Sequence, residues 1–91
     1  MVALFKLGSL VATPGCLEAC IACGVSPSAY VDRHVSGDWG ELSADDIAEN
    51  ELSVREGFRI LSAYSLPDET RIWIITEADR SATTLLLPEE Y

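Results

Sequence analysis

The feature that most constrains this chain is the run Ile72-Trp73-Ile74-Ile75, four bulky apolar residues with no polar alternation. A strand with one face in water alternates apolar with polar residues. One that is apolar on both faces belongs in the middle of a sheet, with helices over at least one side. Around this run the pattern is extended from Phe58 onward, and three strands are expected, at about Phe58–Tyr64, Arg71–Ala78 and Ala82–Leu87. Leu66-Pro67-Asp68-Glu69 supplies the first turn, with proline where a type I geometry favours it, and Asp79-Arg80-Ser81 supplies the second.

The part before Phe58 reads as helices. Thr13-Pro14 is an N-cap followed by proline at the first helical position, and the helix should run to about Cys23, with Gly24 as its left-handed stop. Ser26-Pro27 repeats that signal and opens a second helix to about His34. Ser43-Ala44-Asp45-Asp46 starts a third, ending near Glu51, with acidic residues suited to the positive end of the helix dipole. Leu4-Phe5-Lys6-Leu7 is either a short opening strand ended by Gly8 or an irregular edge segment. The expected fold is α+β: two or three short N-terminal helices packed on a three-stranded antiparallel meander, with a possible extra N-terminal edge strand. Ninety-one residues with 48% hydrophobic content suit one core, so residues 1–91 are expected to form a single domain.

Charge restricts function. Fifteen acidic against six basic residues give a net charge of -9, which opposes nucleic-acid binding because phosphate recognition needs clustered Lys and Arg. An acidic surface serves solubility, or it competes with nucleic acid for a basic groove on another protein. No stretch approaches the roughly 20 apolar residues of a membrane span, and Met1–Lys6 does not read as an export signal, so a cytoplasmic location is expected.

Cys16, Cys20 and Cys23 have the C-x3-C-x2-C spacing with which radical-SAM enzymes hold an iron–sulfur cluster. Here the three fall at i, i+4 and i+7 of a predicted helix, on one stripe, and His34 is the only histidine that could add a ligand. The stripe is expected to pack on the sheet, with no metal and no cofactor.

The richest stretch is Arg33-His34 followed by Gly37-Asp38-Trp39-Gly40. Either His34 caps a helix end and Trp39 closes the core beneath the loop, or His34 and Asp38 share a surface cleft beside an exposed Trp39 that anchors a partner. Thr76-Glu77-Ala78-Asp79-Arg80-Ser81 and then Thr83-Thr84 gather polar groups at the end of the sheet, as a solvated hairpin or as an acid, a base and hydroxyls converging on His34 as in a small ribonuclease. Arg33, His34, Asp38, Trp39, Glu77, Asp79 and Arg80 are therefore the candidate binding residues, and His34, Asp38, Arg80 and Thr84 the candidates for catalysis. No nucleophile elbow, P-loop or dinucleotide fingerprint occurs.

Several blocks taken together, Leu7-Gly8, Ala12-Thr13-Pro14-Gly15, Arg33-His34, Gly37-Asp38-Trp39-Gly40, Arg59-Ile60-Leu61-Ser62-Ala63-Tyr64 and Trp73 through Arg80, resemble a family of small uncharacterised bacterial proteins carried on plasmids, phages and integrated elements. The resemblance covers nearly the whole chain. Its blocks mark the family and not a chemistry. Members are sometimes labelled as a type I restriction modification subunit, but this chain is too short for that and lacks a methyltransferase cofactor site. Relatives carry ordinary apolar residues where this chain has its cysteines, which also weighs against a metal role. The resemblance implies a mobile-element setting and a non-enzymatic module that binds a host protein with a basic surface, such as a restriction or other nucleic-acid-directed defence protein. The alternatives are a ribonuclease or toxin-like enzyme using His34, and a structural or regulatory homodimer.

Overall fold

In the computed structural model, which describes residues 2–91, the apolar run lies in a strand with a neighbour on each side. In chain order the elements are β1 (Ser9–Ala12), α1 (Pro14–Cys23), α2 (Pro27–Val35), α3 (Ala44–Glu56), β2 (Ile60–Ser65), β3 (Arg71–Thr76), β4 (Ala82–Leu86) and a 3-10 turn at Pro88–Glu90. The class is α+β. The sheet is four-stranded and mixed, in the order β1-β4-β3-β2, rather than a three-stranded antiparallel meander. β2, β3 and β4 pair antiparallel, and β1 adds to β4 in parallel. The helices consequently do not all precede the sheet; they lie between its first and second strands in chain order.

The opening segment follows the irregular reading, and the extra N-terminal edge strand is present but shifted along the chain. Leu4–Leu7 is irregular, and a strand forms after Gly8 instead of before it. Gly8 has φ +66°, and a Cβ there would collide with the Ser81 carbonyl, so only glycine lets the chain turn this close to the β3–β4 hairpin and enter the sheet. Leu4 N–H donates to Val35 O, and Leu7 O accepts from the Thr83 hydroxyl, which lays residues 4–7 across the end of the sheet.

The cap signals hold by side-chain bonds at α1 and α3 but not at α2, where Ser26 Oγ meets Ser28 Oγ at 2.8 Å instead of a backbone N–H. Thr13 Oγ1 accepts from Cys16 N–H, Ser43 Oγ accepts from Asp46 N–H, and Gly24 and Gly57 close α1 and α3 in the left-handed conformation. α3 runs to Glu56, five residues past the expected end at Glu51, because no breaker occurs before Gly57. The strands are also shorter than expected, with Phe58 and Arg59 leading into β2 and Glu77 and Ala78 in the turn.

Alternation puts Ile60, Ser62 and Tyr64 of β2 on one face with Ile72, Ile74 and Thr76 of β3 and Thr83 and Leu85 of β4. α1 and α2 cover this face: Cys16, Cys20 and Val31 join Tyr64, Leu66, Ile72, Ile74 and Leu85 in one buried cluster, with Cys23 packed at its margin. The cysteines are thus core residues, and each fully buried isoleucine contributes about 1.5–3 kcal/mol. Burial pushes the Cys16 thiol up to about 12 and raises Cys20 as well, so both stay protonated.

Candidate functional site

His34 ends the second turn of α2, where the helix packs on β2 and β3, and it has no solvent exposure. Its Nδ1 bonds Ser62 Oγ, and its Nε2 lies 2.9 Å from Thr76 Oγ1. Thr76 Oγ1 is 2.8 Å from Thr83 Oγ1, which donates to Leu7 O at 2.7 Å. These contacts fix the protons. Thr83 spends its hydrogen on Leu7 O, so Thr76 donates to Thr83 and must accept from His34 Nε2–H; Nδ1 then accepts from Ser62. The result is a one-way chain of neutral donors running from Ser62 to Leu7. No carboxylate faces the imidazole in this chain, and burial pushes its pKa down to about 4.

Trp39 roofs this histidine. It is 3% exposed, its ring meets His34 edge-on at 5.9 Å, and Phe5 stacks beside it at 6.2 Å while touching His34 edge-on at 5.3 Å. Nε1 donates to Glu51 of α3 at 3.4 Å. Of the two readings of this stretch, Trp39 closing the core beneath the loop holds, and the surface cleft shared by His34 and Asp38 beside an exposed Trp39 does not: the loop folds inward because Gly40 can approach β2. Gly40 has φ +75°, and a Cβ on it would strike the Ala63 carbonyl.

Asp38 points away from His34. Its carboxylate accepts from Arg33 Nε at 2.7 Å and from Gly40 N–H at 3.2 Å, and the Arg33 guanidinium holds it below the usual carboxylate range. Arg33 also lies 4.6 Å over the Tyr64 ring, whose hydroxyl donates to Asp38 O at 2.6 Å.

Arg80, expected at a binding hairpin, is a clasp. It takes φ +60° in the β3–β4 turn, and its guanidinium donates to the carbonyls of Phe58 at 2.7 Å, Ser53 at 2.8 Å, and Glu77 and Ala78 at 3.2 Å each. It thereby ties the end of α3 to the hairpin, with Phe5 between it and His34. Asp79 closes its own turn by accepting from Ser81 N–H at 3.0 Å, and Glu77 is exposed. Thr84 is next to Thr83 along β4 and therefore faces the opposite side of the sheet from His34. The four catalytic candidates are not brought together.

Ser62 is the partner of His34 that sequence reasoning missed, whereas Thr76, which bonds the ring directly, and Thr83, which bonds Thr76, were among the hydroxyls expected near it. The signal was present, since each is a hydroxyl inside an apolar strand, but their common face follows only from the strand register.

A different surface holds the free charge. α3 carries Asp45, Asp46, Glu49, Glu51 and Glu56, all exposed, with Arg55 its one cation. Leu42, Asp46, Glu49 and Asn50 line an open cleft of about 240 Å³ against Arg59 and Leu61 of the β2 approach. Among the described residues, no group of three or more His, Cys, Asp or Glu is placed to hold a metal ion, and no helix is long and apolar enough to cross a membrane. Against models of protein families, curated proteins and solved structures, the chain gives no match.

Proposed function

We propose that this chain is a non-enzymatic binding module that presents the acidic ridge of α3 to a protein with a basic, nucleic-acid-binding groove. The observation that carries this reading is the fate of the cations. Of the six cations, Arg33 is paired with Asp38 and Arg71 with Glu41; Arg80 and Arg59 keep their charge but are tied to backbone carbonyls and to the Tyr91 hydroxyl, and Arg55 alone lies on α3. Against the single Arg55, the five acidic side chains of α3 keep the local potential negative, which attracts a basic partner and repels phosphate. The resemblance to mobile-element proteins supplies the setting, and the partner would be a restriction or other nucleic-acid-directed defence protein of the host.

The ribonuclease reading draws no support from the geometry. Both His34 nitrogens are engaged, the ring is sealed from solvent, and its pKa is far from the operating range of a general base at neutral pH.

The test is plating of unmodified phage on a restricting host that expresses the chain, together with binding of the purified chain to that host's restriction enzyme. Expression should raise plating, and binding should weaken as salt rises. Asp46→Lys combined with Glu49→Lys should remove both effects without unfolding an exposed helix face. Unchanged plating and no binding would defeat this proposal.

A further inference from the structure

We infer that the free edge of β1 joins two copies of this chain, adding strand to strand antiparallel across a two-fold axis at Val11. The two four-stranded sheets would become one of eight.

Ser9 N–H and Thr13 N–H donate inward to Ser81 O and Leu85 O, each at 3.0 Å. Because successive residues of a strand present their backbone groups to opposite sides, the N–H and C=O of Leu10 and Ala12 point outward. No group among the described residues bonds them. β1 is also apolar and open to solvent, with Leu10 57% and Val11 48% exposed. An uncovered edge of this kind is a template for another strand.

Charge selects the occupant. Leu7 through Leu17 contains no charged residue, in a chain that carries -9, and the one carboxylate bonded to this stretch, that of Glu90, sits beyond the end of β1 on Thr13 Oγ1 and Gly15 N–H. Two such chains repel over most of their surfaces and can approach only where charge is missing, whereas a basic partner gains nothing at an uncharged strand. The strand is also self-complementary. With the axis at Val11, Leu10 lies opposite the partner's Ala12 as a hydrogen-bonded pair, large against small, and Ala12 lies opposite the partner's Leu10. The two pairs make four interchain bonds. Val11 meets the partner's Val11 as the closer, non-hydrogen-bonded pair, with Cα atoms about 4.5 Å apart. A closed two-fold contact uses up the edge in both copies and stops at the dimer.

This inference does not rest on the acidic-partner reading, although a dimer would present two α3 ridges to a two-fold partner. Sedimentation of the full chain over a concentration series tests it. The wild type should approach twice its 9.9 kDa mass and fall to monomer on dilution. Leu10→Pro deletes one outward N–H per chain, two of the four bonds, and should weaken association roughly tenfold or more. Val11→Glu sets two carboxylates face to face and should do the same, which keeps the test decisive if the proline variant fails to fold. Ile47→Lys, an exposed change on α3, should leave the dimer intact. In the wild type, the Leu10 and Ala12 amides should exchange slowly at high concentration and fast at low. A wild type that stays monomeric at all concentrations, or a dimer indifferent to both edge variants while folded, would overturn the inference; so would a monomer that binds an extended peptide instead.

Discussion

The sheet has two edges, and the chain treats them in opposite ways. At β2 the edge is sealed: Asn50 reaches from α3 to donate to Leu61 O at 2.7 Å and to accept from Leu61 N–H at 3.2 Å, as a neighbouring strand would. One step on, Glu41 N–H donates to Ala63 O at 2.7 Å and Ala63 N–H to Trp39 O at 3.2 Å, a single parallel bridge centred on Gly40. At β1 nothing among the described residues corresponds. The stretch richest in residue variety, Arg33 to Gly40, is thus spent on closing an edge and roofing a histidine. The plainest stretch, Ser9 to Ala12, is left facing solvent.

Trp39→Ala should open the sealed edge most severely, because the ring covers His34 and holds the loop that seals Ala63. The expected loss is about 3–5 kcal/mol, the usual range for truncating a buried tryptophan, read by denaturant unfolding. An unchanged midpoint would mean that the roof is not needed. Asn50→Ala opens the sealed edge more narrowly. It leaves Leu61 N–H and C=O without their partner in a site where Asn50 is 4% exposed, and should cost about 2–3 kcal/mol. The Leu61 amide should become fast-exchanging while the Ile74 amide stays protected.

Acid probes the same region without mutation. The folded chain holds His34 neutral down to about 4, against an ordinary value of 6.5, whereas the unfolded chain protonates it below 6.5. The unfolded state therefore binds the extra proton, and stability that is full above 6.5 is lost as pH falls toward 4. Between pH 7 and pH 5 the loss should be about 2 kcal/mol. His34→Gln should abolish that slope whatever its own stability, and a slope that survives would assign the loss to other groups.

What was legible in the sequence was local. The Thr13 and Ser43 caps, the Gly24 stop and the cysteine stripe each depend on neighbours within a turn or two, and the apolar run at Ile72 needs only its own composition to mark an inner strand. What was not legible depended on pairing between distant residues. Gly8 reads as a stop from its own position and as an entry only beside Ser81, and β1 becomes a strand because β4 is there to accept it. Likewise His34 looks exposed at a helix end until Ser62 and Thr76 are known to face it. Arg80 misled for a related reason, since a cation in a hairpin is ordinarily solvated and this one found four carbonyls from three segments.

The finest discrimination between the edges comes from placing proline at each. In Leu61→Pro the lost N–H is the one that Asn50 accepts from, so stability should fall. In Leu10→Pro the lost N–H points to solvent within one chain, Ser9 before it is already extended as proline requires, and a half-exposed side chain gives up little burial. Measured where the chain is monomeric, Leu10→Pro should change stability by less than about 0.5 kcal/mol. Raising the concentration separates the two chains further. The wild-type melting temperature should climb by mass action if β1 pairs with a second copy, because association stabilises only the folded form. In Leu10→Pro that climb should flatten while Leu61→Pro, destabilised but with β1 intact, should keep it.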